Sequence, residues 1–384
     1  MPCYHPLKAF TIGSTENGKK DLKVVPYQVD YLALVDRSSG RKIERCYGEE
    51  VWSQNDIRHY KEWTQIPCGK CIGCRMEYSR QWADRMILES LDHRSNIFLT
   101  LTYDNDHLVS HCQRFFNTNA DNISSVTRIY DDYYAKHPAL VDNPLDKIDV
   151  SAGVSYSLVK RDLQLFMKRL RKRFPDQTIR FFACGEYGSL NLRPHFHIVL
   201  FGLELDDAYP WKLNKAGQPL YRSPSIEKCW PFGFALFGAV SWQSCAYTAR
   251  YVLKKRGGDL ASFYDTFNME PEFCLMSRRP GIARKYYDEH KKEIYEEGKI
   301  LLTDIQGRHL DLKPPAYYDS LYDVENPEEL AEIKDKRKTI AQNLMEIKLS
   351  RTTLPYLQYL KVEEYNFTHH VNDKMKRGDA YEAT

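Results

Sequence analysis

Two short β-forming runs, TIRFFAC (178–184) and HFHIVLF (195–201), are separated by a connector punctuated by Gly185, Gly188 and Pro194. This pair constrains the fold more than any other feature. Such runs with a short Gly- and Pro-bearing link read as two strands joined by a tight hairpin. A third run, IFLTLTY (97–103), is β-branched and aromatic and reads as a buried strand. Between them, residues 157–174 place Leu163, Phe166, Met167 and Leu170 at i, i+3, i+4 and i+7, the stripe of an amphipathic helix. A second helix is expected over 75–92, and a third over 242–255, stopped by Gly257-Gly258. Strand, helix, strand, strand, helix is the order of an α+β fold with a largely antiparallel sheet.

Around this centre the chain divides into 1–76, 77–260 and 261–384. Within the middle part, residues 104–154 are rich in Asn, Asp and Ser and poor in periodicity, which reads as an insertion or loop. Residues 203–240 read as a Gly- and Pro-rich connection. The last third is highly charged, and 327–350 reads as a long solvated helix within a helical extension. With 27 Tyr, 17 Phe and 6 Trp, a fully disordered chain is excluded. No run approaches the roughly 18–20 apolar residues of a membrane span. The start, MPCYHPLKAF, has no basic segment followed by an apolar one, so a cytoplasm is the expected compartment. There, cysteines serve as thiols or metal ligands rather than disulfides. The net charge of +3 decides nothing about partners; local charge must.

His195 and His197 alternate on one strand and so project from one face. Glu186 ends the preceding strand, and a tight hairpin returns its carboxylate beside them. Two imidazoles and a carboxylate suit Mg²⁺, Mn²⁺ or Zn²⁺; two packed histidines are the plainer alternative. Tyr247 and Tyr251 are i and i+4 on the 242–255 helix, roughly 5–6 Å apart at Cβ, with Lys254 following on that face. A phenol, with a pKa near ~10, needs help as a nucleophile, and a neighbouring ammonium supplies it; ordinary packing is the alternative. Helix 157–174 is strongly basic, with Lys168, Arg169, Arg171, Lys172 and Arg173 as candidate phosphate contacts.

Cys68, Cys71 and Cys74 form C-x2-C-x2-C with intervening glycines. Three thiolates need a fourth donor, Cys3 or else His5. Four such ligands indicate structural Zn²⁺, and an iron–sulfur cluster is the rival reading. Cysteines 46, 112, 184, 229, 245 and 274 show no ligand spacing.

Taken together, these residues resemble the endonucleases with two histidines around a hydrophobic residue and a tyrosine nucleophile, which initiate rolling-circle replication. IFLTLTYD resembles their first motif, Glu186 with Pro194-His195-Phe196-His197 their metal motif, and Tyr247-Thr-Ala-Arg-Tyr251-Val-Leu-Lys254 their two-tyrosine motif. More narrowly, PCGKCIGCRMEYSRQWADR, GEYG with RPHFH, RYVLKK and MSRRPGIARKYY are similar to the replication initiation proteins of the gokushovirus branch of the microviruses, over roughly 60–290. The resemblance implies a ferredoxin- or RNA-recognition-motif-like sheet with the histidines on a central strand. It implies Mg²⁺ or Mn²⁺ at Glu186, His195 and His197, and a 5′-phosphotyrosine intermediate on Tyr247 or Tyr251. It also implies single-stranded origin DNA as substrate, a host helicase and DNA polymerase as partners, and action in the cytoplasm of a bacterial host. A conjugative relaxase or transposase uses the same chemistry; a non-catalytic zinc-dependent nucleic-acid-binding protein is the alternative of another class.

Overall fold

The computed structural model describes residues 3–14, 20–30, 32–35, 57–60, 62–118, 120–136, 143–214, 216–254, 258–303 and 309–378; the side chains of 33–35, 57–59, 120, 251–254 and 371–378 lie outside the described set. Two compact units are present: Met1–Glu77 with Leu344–Thr368, and Tyr78–Asn343 with His369–Thr384.

The second unit contains α1 (Ile72–Leu91, from Tyr78 onward), β1 (Asn96–Tyr103), α2 (Ala120–Lys136), α3 (Lys160–Arg173), β2 (Arg180–Tyr187) and β3 (Pro194–Phe201). The chain continues through β4 (Tyr209–Leu213), β5 (Pro219–Arg222), α4 (Pro224–Cys229), β6 (Gly233–Ala239), α5 (Trp242–Lys254) and β7 (Phe273–Met276). The seven strands form one antiparallel sheet in the order β4-β5-β6-β1-β3-β2-β7. Its middle, β6-β1-β3-β2, has the strand order of a ferredoxin-like fold, with β1 and β3 at the centre. Both central strands are buried on two faces, so their sequences are nearly continuous apolar runs rather than alternating ones.

The two faces are distinct. Phe196, Ile198 and Leu200 of β3 pack with Leu163, Phe166, Met167 and Leu170 of α3 on one side. Val199 and Phe201, with Phe98 of β1 and Phe182 of β2, pack with Tyr247 and Ala246 of α5 on the other. The α3 stripe is buried as its periodicity requires.

Two segments depart from the sequence expectations. The run 104–154 holds a helix, α2, whose Ile123, Val126, Tyr130 and Tyr134 turn into the core, with Tyr130 against Phe263 at 5.6 Å. Its stripe is spread thinly among polar residues, which hides the period. The run 203–240 is not a connection: it supplies three strands of the sheet. Its Pro and Gly residues mark element ends, with Gly217 in the β4–β5 turn at φ +77° and Pro224 in the first turn of α4. Gly233 opens β6 at φ +151°, where an added Cβ would meet the Thr102 carbonyl oxygen at 2.3 Å; only glycine fits there.

Beyond 260, β7 adds the edge strand beside β2. Helices Ser262–Thr266, Arg284–Glu297, Ala316–Glu325, Pro327–Leu349 and Tyr356–Gly378 and a hairpin, Ile300–Thr303 with His309–Leu312, lie there too. In the first unit, Leu7–Ser14 pairs with Lys20–Pro26 and Trp63–Ile66. Part of the Tyr356–Gly378 helix belongs there, with Tyr356 5.3 Å from Tyr27 and Phe367 5.8 Å from Tyr4 between ring centres. Among the described residues, no helix is long and apolar enough to cross a membrane.

Candidate functional site

The β2–β3 hairpin is closed by Gly188 N–H donating to the Arg193 carbonyl at 3.0 Å, which sets Glu186 directly opposite His195. Alternation then places Glu186, His195 and His197 on one face, while Tyr187 turns to the other. Glu186 Oε1 lies 2.6 Å from His195 Nε2 and 3.0 Å from His197 Nε2. The Glu186 and His197 side chains are buried and that of His195 is 12% exposed, so the site opens at His195.

The far nitrogens decide what this cluster can hold. His195 Nδ1 lies 3.0 Å from the Arg193 carbonyl, which can only accept, so Nδ1 carries the proton. His197 Nδ1 lies 3.0 Å from Thr100 Oγ1, across the β3–β1 pair. With Nδ1 as the donor, each Nε2 turns a lone pair toward the carboxylate. Two lone pairs facing an anion are repulsive unless a cation, a proton or a metal ion, sits among them. The donor atoms all lie within 4.8 Å of one another, and an N, N, O set of this kind fits a divalent metal. Thr100 is the residue that sequence reasoning missed: a Thr in a strand is an ordinary β-former, and only the register shows it opposite His197.

Helix α5 brings one tyrosine to this cluster. It begins at a reciprocal cap, in which Ser244 N–H donates to Ser241 Oγ at 3.1 Å and Ser241 N–H to Ser244 Oγ at 2.8 Å. One turn on, the buried Tyr247 ring stands edge-on to His197 with centres 5.2 Å apart, and edge-on to Phe98 at 6.2 Å. Phe98 in turn stacks on His197 at 5.4 Å. Tyr251 and Lys254 continue the same helix, and their side chains lie outside the described residues. Tyr187, the tyrosine nearest in sequence to Glu186, is committed elsewhere. Its hydroxyl donates to the Glu270 carbonyl at 2.6 Å and accepts from Leu158 N–H at 3.0 Å, and burial holds its pKa far above the ordinary phenol value.

The basic helix α3 is not brought to the triad; it lies on the opposite sheet face. Arg171 donates to the Ile179 carbonyl at 3.1 Å and Arg173 to Ser225 Oγ at 2.8 Å, and the Arg169 guanidinium lies 5.4 Å from the Phe232 ring centre. Lys168 and Lys172 are exposed.

In the first unit, the four sulfurs of Cys3, Cys68, Cys71 and Cys74 lie within 4.8 Å of one another, with no disulfide among them. Gly69, at φ +73°, turns the chain so that Lys70 and Cys71 N–H groups reach Cys68 Sγ at 3.4 and 3.3 Å. Cys68 N–H donates to Cys3 Sγ at 3.2 Å, and Tyr4 N–H to Cys71 Sγ at 3.4 Å. Burial opposes ionisation of Cys68, but the Cys71 and Lys70 donors outweigh it and lower its pKa. Burial pushes the Cys3 thiol up to about 11. Four crowded sulfurs cannot all ionise without a cation at their centre, and backbone N–H donors around them are the usual surroundings of bound thiolates. His5 is not at the cluster; its Nε2 lies 2.7 Å from Glu364 Oε2.

With this geometry in place, relatedness is informative. The chain is 30% identical over 333 residues to the replication-associated protein ORF2 of Spiroplasma virus 4, covering 83% of this chain and 90% of that protein. It belongs to that family of phage replication-associated proteins. The family model described as replication-associated protein ORF2/G2P matches residues 150–256, the stretch that holds Glu186, both histidines and both α5 tyrosines. The replication-associated protein VP4 of Bdellovibrio phage phiMH2K is 26% identical over 316 residues, covering 80% of this chain and 83% of that protein. The replication-associated protein ORF4 of Chlamydia phage 1 is 29% identical over 248 residues, covering 62% of this chain and half of that one. No solved structure matches the chain. Membership in the family assigns the chain a role in replication initiation.

Proposed function

We propose that the protein nicks single-stranded origin DNA by tyrosine attack and rejoins the ends, in rolling-circle replication. The observation that carries this reading is the packing of Tyr247 edge-on against His197, within the cluster of Glu186, His195 and His197. Those three residues would hold Mg²⁺ or Mn²⁺. A bound divalent ion there supplies polarisation of the scissile phosphate and charge neutralisation as the phosphorus is attacked.

The chain's own residues supply the rest. The Arg193 carbonyl holds His195 in the tautomer that exposes Nε2, and the Thr100 hydroxyl is placed to accept from Nδ1 when His197 does the same. The tyrosine oxygen bonds to phosphorus, the bond from phosphorus to the 3′-oxygen breaks, and the phenol loses a proton while the leaving oxygen gains one. The products are a 5′-phosphotyrosine and a free 3′-hydroxyl for a host polymerase, on a template opened by a host helicase. Because the phosphodiester is exchanged rather than hydrolysed, rejoining needs no external energy. Tyr247 and Tyr251, i and i+4 on the helix, alternate, one making the first cut and the other the second, and Lys254 stabilises the phenolate. Exposed Lys168 and Lys172 serve phosphates away from the scissile bond. The cysteine cluster is a structural Zn²⁺ site. The setting is the cytoplasm of an infected bacterium.

The test is incubation of the protein with labelled single-stranded origin DNA and Mg²⁺ or Mn²⁺, followed by denaturing electrophoresis. The wild type should form a covalent adduct. The double substitution His195→Ala with His197→Ala should form none while keeping its circular dichroism and its cysteine-bound metal. Metal-dependent cleavage by the double mutant, or no adduct with any divalent metal, would refute the reading.

A further inference from the structure

The face of the sheet that carries the triad does not end at β1. Thr102 lies opposite His195 on one side and Phe234 of β6 on the other. Directly opposite residues share a face, so Phe234 stands on the triad's face, two strands from His195. Phe234 is 56% exposed, which is unusual for a Phe on an interior strand of a seven-stranded sheet. One strand further, Tyr221 pairs with Phe237 on the other face, so the next residue, Arg222, returns to the triad's face. Arg222 is paired with Tyr209 of β4. A bulge between Pro210 and Lys212 gives β4 an extra residue, Trp211, and re-aims it. Trp211 is 54% exposed, and the Arg222 guanidinium lies 4.5 Å from its ring centre. Arg222 Nε donates to Glu227 Oε1 at 2.5 Å, while the nearby Asp207 is turned inward, accepting from Ser225 N–H at 2.8 Å and from Ser223.

We propose that Phe234, Trp211, Tyr209 and Arg222 form a stacking track that leads single-stranded DNA across the sheet to the Glu186–His195–His197 site. The proposal rests on the nicking reading for its destination and names the path of the substrate. Three strand spacings separate the Arg222 strand from the histidine strand, about 14 Å. That is a span for a few unstacked nucleotides, not for a single phosphate. The composition also selects the occupant. Flat aromatic rings with a guanidinium among them accept the π-face of any base without reading its edge, as single-strand-binding surfaces do. The track is continuous with the row that holds His195, the open member of the triad.

The experiment measures fluorescence anisotropy of a labelled oligo-deoxythymidine with the full-length protein, alongside adduct formation on origin DNA against protein concentration. Trp211→Ala and Phe234→Ala should each weaken binding at least about five-fold, the loss of one stacked base. Trp211→Phe should bind nearly as the wild type, and the two Ala variants should need correspondingly more protein to reach half-maximal adduct. Folded Ala variants that bind like the wild type would overturn the track, while the wild-type adduct would leave the nicking reading standing. A changed sedimentation coefficient with unchanged DNA affinity would also overturn it, assigning the strip to a second copy of the chain. Weakened binding in the variants with no adduct even in the wild type would support the track and refute the nicking reading. As a check independent of variant folding, photocrosslinking of 5-bromodeoxyuridine oligonucleotides to the wild type should map to Trp211, Tyr209 or Phe234. Crosslinks confined to other residues would overturn the proposal.

Discussion

Replacing Thr100 by Val should weaken metal binding without altering the ligands themselves. The residue is 8% exposed, and its hydroxyl lies 3.0 Å from His197 Nδ1. Valine keeps the β-branched shape and the strand preference, so the sheet should hold. What is lost is the acceptor for a buried N–H, which costs about 1–3 kcal/mol. A metal on Nε2 requires the proton on Nδ1, so the loss falls on the metal-bound state. Converted at about 1.4 kcal/mol per tenfold, the metal dissociation constant should rise about 5- to 150-fold. This matches the 10- to 100-fold cost usual for groups that orient a metal-bound histidine, roughly. Calorimetric titration with Mn²⁺ checks the shift, and nicking measured against Mn²⁺ concentration should show it as a raised half-saturation with a preserved maximum. Thr100→Ser, which keeps the hydroxyl, should stay within about three-fold of the wild type, as a retained hydrogen bond requires. A folded Thr100→Val protein with unchanged Mn²⁺ affinity would refute the claim that Thr100 accepts from Nδ1 of a metal-bound His197.

Three further outcomes follow from named contacts. Cys71→Ser should lose the bound metal of the cysteine cluster, about one Zn²⁺ per chain by the four-ligand rule, and lower Tm; protein that arrives brown with labile sulfide would refute zinc. Glu89 is buried, and although burial opposes its ionisation, His93, Arg180 and the Ala283 N–H at 2.5 Å lower its pKa. Its stabilisation is therefore present above the ordinary carboxylate pKa and lost as pH falls through the lowered one. Glu89→Gln should cost about 3 kcal/mol near neutral pH, and the gap in stability to the wild type should close below about pH 4. A gap that widened in acid, followed by denaturant melts, would contradict this sign. Tyr247→Phe and Tyr251→Phe should each retain some single cleavage of an origin oligonucleotide, while neither releases closed circles in a replication assay.

The sheet's centre was legible because its signals are local. The His195 and His197 alternation, the glycines of the connector and the α3 stripe each state their geometry within a few residues. What stayed hidden depends on distant partners. The α2 stripe carries only four inward residues among Asn, Asp and Ser, so its period is weak until the core is seen. The prolines and glycines of 203–240 mark a connection by composition, yet they sit at the ends of strands whose pairing is set by β1. Thr100 gains its role only from register across the sheet. The α3 cations are read by charge alone, and that Arg171 and Arg173 also reach the Ile179 carbonyl and Ser225 Oγ depends on distant partners. That part of the last helix joins the N-terminal unit has no local signature at all.

The most direct measurement is peptide mapping of the covalent protein–DNA adduct formed on single-stranded origin DNA. The nucleotide should be found on Tyr247 or Tyr251, joined through a 5′-phosphate, and the adduct should vanish in the Tyr247→Phe, Tyr251→Phe double mutant. DNA on any other residue, Tyr187 included, would contradict the central claim that the α5 tyrosines act beside Glu186, His195 and His197.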